Sequence, residues 1–167
     1  MSEPTVRVAI LVVSDRAARG ERADATGPRL AEALRAWGTE VVAVVVTPDE
    51  VARICAGIIA HCEHAEVVLT AGGTGLAERD VTPEATAEVV TRQVPGMAEA
   101  MRAAGQRHTP HAMLSRGIVG VRGNTLIINL PGSPKGAVES LEAVWPAVPH
   151  AVALLRGPVT DDSHAAD

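Results

Sequence analysis

The stretch Val67-Val-Leu-Thr-Ala-Gly-Gly-Thr-Gly75, with Thr82-Pro-Glu84 shortly after it, decides the fold of this chain. Its first five residues form a short, mostly apolar run that ends at glycines, which predicts a buried β-strand. Thr82 followed by Pro83 predicts a helix start, with the threonine as N-cap and the proline as the first helical residue. A strand, a glycine-rich loop and a helix in succession are typical of α/β proteins with parallel sheets.

The same alternation continues on both sides of this stretch. The further apolar runs that predict strands lie at residues 6–13, 41–46 and 125–130. Helix starts are predicted near Thr26, after Asp49 and at Ser133. Residues 117–121 and 125–130 flank Arg122-Gly-Asn124, a pattern that predicts a hairpin. We therefore expect an α/β fold of three layers: an open, mostly parallel sheet with helices on both faces and one antiparallel edge hairpin.

The helix predicted after Asp49 carries one strongly apolar face. Residues at helical spacing form its stripe: Val51, Ile54, Cys55, Ile58, Ile59 and Cys62. The two cysteines would be about 10 Å apart along the helix, too far for a disulfide, so we expect reduced thiols that pack in the core. His61 and His64 are expected at the polar end of this helix, and together with Cys62 and Glu63 they are only a weak pattern for a metal site.

Composition favours a single domain over residues 5–157, with flexible tails at residues 1–4 and 158–167. Of the 167 residues 47% are hydrophobic, enough for one substantial core. With 15 basic and 20 acidic residues, the chain has a net charge of −5 and no basic face for nucleic acid. The N-terminus shows no secretory signal, and no run approaches the roughly 20 apolar residues of a membrane span. We expect a cytoplasmic protein that contacts neither membrane nor nucleic acid.

Polar or glycine-rich residues follow the predicted strands at one edge of the sheet. In open parallel sheets the ligand cleft forms where the carboxyl ends of the strands meet. The segments expected there are Ser14-Asp15, Pro48-Asp49, Gly72–Gly75 with Arg79-Asp80, and Pro131–Pro134. Their convergence predicts an active cleft.

Each of these groups has a structural explanation beside a functional one. Gly72–Gly75 either forms a phosphate-binding nest of backbone N–H groups or is only a tight turn that needs glycine. Asp49 and Asp80 precede predicted helices, where they either hold Mg²⁺ with substrate phosphates or complement the helix dipole. Ser133 is either an N-cap or part of an anion site to which Lys135 adds charge.

The run Thr70–Thr86, TAGGTGLAERDVTPEAT, resembles the signature of the MogA/MoaB family, the molybdopterin adenylyltransferases related to plant Cnx and gephyrin G domains. The other matching motifs are Val13-Ser-Asp15, Thr26-Gly-Pro28, Pro48-Asp-Glu50, Pro95-Gly96 with Glu99 and Arg102, Leu114-Ser-Arg116, and Asn129–Lys135. They follow in the order of the family and cover roughly residues 6–156. Departures are small: Thr26 replaces a frequent serine, and Ala71 precedes the glycines where Thr, Ser or Gly is common.

The resemblance implies a reaction in which the terminal phosphate of molybdopterin attacks the α-phosphate of ATP, giving adenylylated molybdopterin and pyrophosphate. It also implies Mg²⁺ dependence, a homotrimer, and other proteins of molybdenum cofactor biosynthesis as partners. By resemblance, Asp49 and Asp80 are the catalytic residues and the Mg²⁺ ligands. The substrate-binding residues would be Ser14, Asp15, Gly72, Gly73, Thr74, Gly75, Arg79, Ser115, Pro131, Gly132, Ser133 and Lys135.

The chemistry refines the expected role of the two aspartates. A phosphate monoester has a second pKa of about 6, so the attacking phosphate is largely dianionic at neutral pH and needs no strong base. The obstacle is to bring two anions together, and metal-held carboxylates and N–H donors meet that need. Two alternatives remain open: a non-catalytic pterin-binding carrier or trimeric scaffold of the same fold, and a related domain that acts in metal insertion or on another nucleotide.

Overall fold

A computed structural model describes residues 5–157 of the chain, so the predicted flexible tails at residues 1–4 and 158–167 lie outside the described residues. Six strands form one sheet: β1 Arg7–Val13, β2 Glu40–Thr47, β3 Val67–Ala71, β4 Arg92–Gln93, β5 Val119–Arg122 and β6 Thr125–Leu130. Their order across the sheet is β2-β1-β3-β6-β5-β4. The neighbours from β2 to β6 run parallel, whereas β5 is antiparallel to both β6 and β4.

The predicted hairpin of β5 and β6 is confirmed, and it forms the antiparallel side of the sheet. Arg122 pairs with Thr125, which leaves a tight turn whose Gly123 has a φ of 56°. Such a left-handed conformation favours glycine. Sequence reasoning missed β4, the edge strand outside β5, because its two residues are too few for an alternating pattern.

Helices cover both faces of the sheet, which confirms the three-layer architecture. The α-helices of the described residues are α1 Asp15–Ala18, α2 Thr26–Ala36, α3 Val51–Cys62, α4 Thr82–Val89, α5 Pro95–Gln106, α6 Pro134–Val144 and α7 Val148–Arg156. Two short 3-10 helices lie at Pro110–Leu114 and Trp145–Ala147. None of the helices within residues 5–157 combines the length and the apolar character needed to cross a membrane.

The alternation of side chains along the central strands divides the core in two. Ile10 on β1 packs into the cluster formed with α2, α5, α6 and α7, whereas the adjacent Leu11 packs into the cluster formed with α3 and α4. Both residues are buried. A strand covered on both faces requires a continuous apolar run, which explains why β1 and β3 contain so few polar residues. The resulting double-sided core fixes the strand ends at which the site is built.

The face that α3 turns toward the sheet differs from the predicted stripe. Ile58 is fully buried as expected, but Ile59 is 38% exposed and His61 is only 8% exposed. Gly57 explains the rotation, because a Cβ at this position would lie 2.9 Å from Cδ2 of Leu11. The helix approaches β1 along this glycine, and His61 shares the same face, with its Nδ1 2.6 Å from the carbonyl oxygen of Gly57. The expected positions of Ile59 and His61 were therefore wrong, while both cysteines of α3 are half-buried free thiols.

The last helical region is interrupted where its prolines fall. α6 ends at Val144, a 3-10 turn containing Pro146 follows, and α7 begins at Val148. A proline lacks the N–H that would continue the helical ladder, so each proline is accommodated in the first turn of a new element.

Candidate active site

The carboxyl ends of β1, β2, β3 and β6 meet at one edge of the sheet, as predicted. The connection before β2 contains α2 and the connection after it contains α3. These two helices cover opposite faces of the sheet. Such a change of winding opens a crevice above the strand ends. A cavity of about 480 Å³ lies there. This cavity, here called the carboxylate cleft, is lined among others by Ser14, Asp15, Asp24, Thr26, Asp49, Gly72, Gly73, Asp80, Gly132 and Ser133.

A second cavity adjoins the carboxylate cleft across the glycine loop. Its volume is about 290 Å³. This cavity, here called the apolar pocket, is lined among others by Thr74, Gly75, Ala98, Met101, Leu114, Ser115, Gly117, Pro131 and Ser133. A compartment rich in carboxylates therefore lies next to one whose surface is mostly apolar, although Arg102 and Glu139 also line the second.

Most of the predicted site residues line one of these cavities, and Ser133 lines both. Two predicted residues do not. Arg79 lies beside the cleft with its side chain 62% exposed, and its guanidinium binds Asp15. Lys135 is 83% exposed and has its Nζ 3.7 Å from a carboxylate oxygen of Glu139. The geometry therefore gives no support to the predicted contribution of Lys135 to an anion site.

Asp15 and Asp49 tie the ends of β1 and β2 together. The N–H of Asp15 donates to Oδ2 of Asp49 at 2.8 Å, and the N–H of Asp49 donates to Oδ1 of Asp15 at 3.0 Å. Arg79 donates from Nε and Nη2 to the two oxygens of Asp15, each at 2.9 Å. Both oxygens of Asp15 are thus engaged by the protein, whereas Oδ1 of Asp49 accepts no hydrogen bond from residues 5–157.

The surroundings shift the pKa values of these two carboxyls in opposite directions. Burial acts to raise the pKa of Asp15, but the N–H of Asp49 and the guanidinium of Arg79 outweigh it and hold this pKa below its ordinary value. Burial also raises the pKa of Asp49, and the nearby charges of Asp15 and Asp80 add to the effect. Repulsion among these carboxylates disfavours the ionised form of Asp49, and a bound cation would relieve it.

Asp80 stands at the end of the glycine-rich loop, two residues before α4. Its Oδ2 accepts the N–H of Ala77 at 3.2 Å, and its own N–H donates to the carbonyl of Ala77 at 2.9 Å. The carboxylate packs against Gly75, where a Cβ would lie only 2.8 Å from Oδ2. The position of this carboxylate therefore depends on the path of the loop between Gly75 and Asp80.

Asp49 and Asp80 are among the carboxylates of the cleft that could hold a metal ion. Within residues 5–157 no group of three or more His, Cys, Asp or Glu side chains is arranged to bind one. A divalent cation here would need substrate oxygens in addition to the two carboxylates, and Mg²⁺ is commonly bound in that way.

The two glycines at the cleft adopt conformations that favour glycine and approach other atoms closely. Gly72 has a φ of 108° and Gly73 a φ of 65°. A Cβ on Gly72 would lie 2.3 Å from the carbonyl oxygen of Val13, and a Cβ on Gly73 would lie 3.1 Å from Oδ1 of Asp49. The turn itself therefore requires glycine, and the same geometry lets Asp49 approach the loop. Phosphate binding by this loop remains a prediction.

The predicted N-cap role of Thr82 was wrong. Thr82 is fully buried in the first turn of α4, and its Oγ1 donates to the carbonyl of Gly72 at 2.9 Å. Behind it, Oγ1 of Thr86 donates to the Thr82 carbonyl at 2.8 Å, and the side-chain amide of Asn129 donates to Oγ1 of Thr86 at 2.9 Å. These buried hydrogen bonds tie the glycine loop to α4 and β6. A local Thr-Pro pattern cannot reveal a carbonyl partner that only the tertiary fold supplies.

The helices α2 and α6 begin at the wall of the carboxylate cleft. Ser133 caps α6 through a side-chain hydrogen bond, as predicted. Asp24 accepts the N–H of Thr26 at 2.9 Å at the start of α2, and Oγ1 of Thr26 donates to the carbonyl of Gly132 at 2.7 Å. Sequence reasoning missed Asp24, although an aspartate just before a helix start is a capping signal. The positive end of the α6 dipole favours an anion in the cleft, whereas the carboxylate of Asp24 already occupies the positive end of α2.

Comparisons with known proteins find relatives that match most of the chain. A family model for a probable molybdopterin binding domain matches residues 9–150. The molybdopterin adenylyltransferase of Helicobacter pylori is 40% identical over 157 residues, covering 92% of this chain and 89% of that protein. The molybdopterin adenylyltransferase of Escherichia coli K12 is 38% identical over 180 residues, covering 94% and 89%.

Solved structures have the same fold. The crystal structure of the molybdopterin biosynthesis enzyme MoaB from Thermus thermophilus matches with a TM-score of 0.86 and 53% identity, covering 92% of this chain and 98% of that one. The tungsten cofactor synthesizing protein MoaB from Pyrococcus furiosus matches with a TM-score of 0.84 and 28% identity, covering 93% and 100%. With its fold and most of its length shared in this way, the chain belongs to the MogA/MoaB family of molybdopterin-binding domains.

Proposed function

We propose that this protein is a Mg²⁺-dependent molybdopterin adenylyltransferase that transfers AMP from ATP to the terminal phosphate of molybdopterin and releases pyrophosphate. The observation that carries the proposal is the carboxylate cleft adjoining the apolar pocket across the glycine loop. The first compartment suits phosphates and a cation, and the second suits a flat ring system. Relatives at about 40% identity bear the name of this activity, which supports the same proposal.

The transfer exchanges one P–O bond for another. An oxygen of the terminal phosphate of molybdopterin attacks the α-phosphorus of ATP, and the bond from that phosphorus to the α,β-bridging oxygen breaks. Pyrophosphate leaves with the electron pair of the broken bond. Because the attacking phosphate is already largely ionised at neutral pH, no protein base has to remove its proton. The protein therefore serves to bring the anions together and hold them in line.

Asp49 and Asp80 would hold Mg²⁺ in this cleft. Burial and the neighbouring charges of Asp15 and Asp80 raise the pKa of Asp49, which fits a cation at that point. When bound, Mg²⁺ stabilises the negative charge that develops on the reacting phosphates. Asp15 keeps Asp49 in place through their reciprocal hydrogen bonds at the ends of β1 and β2, and Arg79 in turn holds the carboxylate of Asp15. The N-terminus of α6 and the N–H groups of residues 73–75 would supply positive poles for substrate phosphates, since the N–H of Gly72 donates to Leu130 and the start of α2 is capped by Asp24.

The test is to incubate the purified protein with molybdopterin, Mg²⁺ and ATP or its analogues, and to detect adenylylated product by mass spectrometry. We expect product from ATP and from β,γ-methylene-ATP, whose α,β-bridging oxygen is intact. We expect none from α,β-methylene-ATP, in which that oxygen is replaced by carbon. Bound molybdopterin without product from ATP would instead identify a carrier or scaffold of the same fold.

Replacing Arg79 with glutamine should move the acid limb of the activity profile to higher pH. The guanidinium of Arg79 lowers the pKa values of both Asp15 and Asp49, so its removal raises them. A carboxylate with a raised pKa is protonated at a higher pH, so Asp49 loses its charge earlier as the pH falls. Values of kcat/KM across the acid range measure the shift, with Arg53→Gln, an exposed arginine beside the same strand ends, as control. Equal loss of activity at every pH would contradict this electrostatic role.

A homotrimer in the cytoplasm completes the proposal. Val44 and Val45 on the edge strand β2 are 40% and 42% exposed. An apolar edge strand requires protection from uncontrolled pairing, and further copies of this chain would provide it. The number of three comes from the family resemblance, and the cytoplasm is where ATP would be available to the enzyme. Sedimentation velocity measures the assembly, and a monomer at micromolar concentration would contradict it.

A further inference from the structure

The segment between β3 and α4, residues 72–81, contains both the glycine loop and Asp80 but no regular secondary structure. Hydrogen bonds to Gly72 and Gly73 hold its start against β6 and α4: the N–H of Gly72 donates to Leu130, and the N–H of Thr82 donates to Gly73. These contacts leave the middle and the end of the segment, with Asp80, to be held by other groups.

Asp15 binds the guanidinium of Arg79 within this segment, and Arg116 supplies further contacts from outside it. Its backbone N–H donates to the carbonyl of Thr74 at 2.8 Å, and its Nε donates to the carbonyl of Gly75 at 2.7 Å. Its Nη2 donates to the carbonyl of Asp80 at 2.8 Å, and its Nη1 pairs with the carboxylate of Glu84 in the first turn of α4. One guanidinium thus joins the loop at both Gly75 and Asp80 to the following helix.

The close approach of Gly75 and Asp80 sets the position of the Asp80 carboxylate. Oδ2 of Asp80 packs where a side chain on Gly75 would be, at 2.8 Å from an ideal Cβ. By holding both carbonyls, Arg116 fixes the backbone from which the Asp80 carboxylate projects, and the carboxylate itself accepts the N–H of Ala77. Arg116 itself lines neither the carboxylate cleft nor the apolar pocket.

We propose that Arg116 is a positioning residue for the transfer reaction, acting through Asp80 by clamping the carbonyls of Gly75 and Asp80. This inference rests on the proposed function for its effect on catalysis, although the clamp itself can be measured without substrate. An arginine is required because its planar guanidinium presents donors in several fixed directions at once, whereas a lysine ammonium is a single point at the end of a flexible chain.

The test compares Arg116→Gln and Arg116→Lys with Arg122→Gln. Arg122 is the matched control, because its Nη1 donates to the carbonyl of Val89 at 3.0 Å at the opposite end of α4, away from the cleft. Both Arg116 variants should lower kcat by about 10- to 100-fold, the usual effect of removing a group that orients a metal-binding side chain. The KM values for ATP and molybdopterin should change little, since Arg116 does not line the cavities.

Hydrogen–deuterium exchange of the free protein provides a second readout. Amides of residues 74–81 should exchange faster in both Arg116 variants than in the wild type and in Arg122→Gln, with the thermal midpoint little changed. Unchanged exchange in this segment would overturn the clamp, and so would a rise in KM at constant kcat, which indicates direct substrate contact. If the wild type forms no adenylylated product, the proposed function fails, and the exchange data still decide the role of Arg116 in the loop.

Discussion

Asp80→Asn should retain the fold and lose nearly all adenylyl transfer. The substitution removes one negative charge but keeps the shape of the side chain, and an amide oxygen can still accept the N–H of Ala77. We expect kcat to fall roughly 100- to 1,000-fold, the effect of losing one preorganised electrostatic group from an active site. The measurement is the rate of product formation at saturating Mg²⁺, together with the thermal midpoint of the variant.

Asp24→Asn is the control for a general change of charge in the cleft. Asp24 also lines the cleft, but its carboxylate accepts N–H groups at the start of α2, and asparagine can accept the same bonds. We therefore expect a much smaller loss of rate. Full turnover by Asp80→Asn at saturating Mg²⁺ would exclude Asp80 as a metal ligand, and equal losses in both variants would point to cleft charge alone.

Gly72→Ala should have the largest effect on stability of any single methyl added to the site. The residue has a φ of 108°, and the new Cβ would lie 2.3 Å from the backbone oxygen of Val13 at the end of β1. The strained backbone alone costs about 1–3 kcal/mol. The clash adds to that cost, because β1 and β3 are paired in the middle of the sheet and cannot move apart easily. Urea unfolding measures the loss of free energy of unfolding.

Gly123→Ala separates the two contributions to this loss. Gly123 also has a positive φ, 56°, but its Cβ would meet no atom within 4 Å. The alanine there should cost only the conformational term, roughly 1–2 kcal/mol. If both alanine variants were destabilised equally, the close approach of Gly72 to β1 would carry no energy, and our account of that glycine would be wrong.

The parts of the fold that the sequence predicted are those with local causes. The apolar runs of β1 and β3 and the hairpin around Gly123 each depend on residues close together in the chain. The rotation of α3 does not, since it is set by how closely Gly57 lets the helix approach Leu11. Periodicity predicts that a helix has an apolar face but does not fix the angle at which that face meets the sheet.

Most residues of the candidate site were predicted from the sequence, but the contacts between them were not. The rule that ligands bind at strand ends predicted from the sequence alone that Asp49, Asp80 and the glycine loop come together. The reciprocal bonds of Asp15 and Asp49 join residues 34 positions apart, and the clamp of Arg116 spans a similar distance. No motif or spacing encodes such pairs, because they arise only when strands distant in sequence become neighbours. The hydrogen bonds that position the site were for this reason harder to predict from the sequence than the residues that line it.

The scarcity of aromatic residues gives this protein a built-in optical signal. The chain has two tryptophans and neither tyrosine nor phenylalanine. Trp37 directly follows α2 and Trp145 directly follows α6, and their ring centroids are 5.4 Å apart. The N-terminal ends of these two helices form a wall of the carboxylate cleft. The intrinsic fluorescence of the protein therefore comes from one pair of tryptophans at their C-terminal ends. A substrate that tilts α2 against α6 would change the contact between the two tryptophan rings, and the fluorescence would report this change without an added dye.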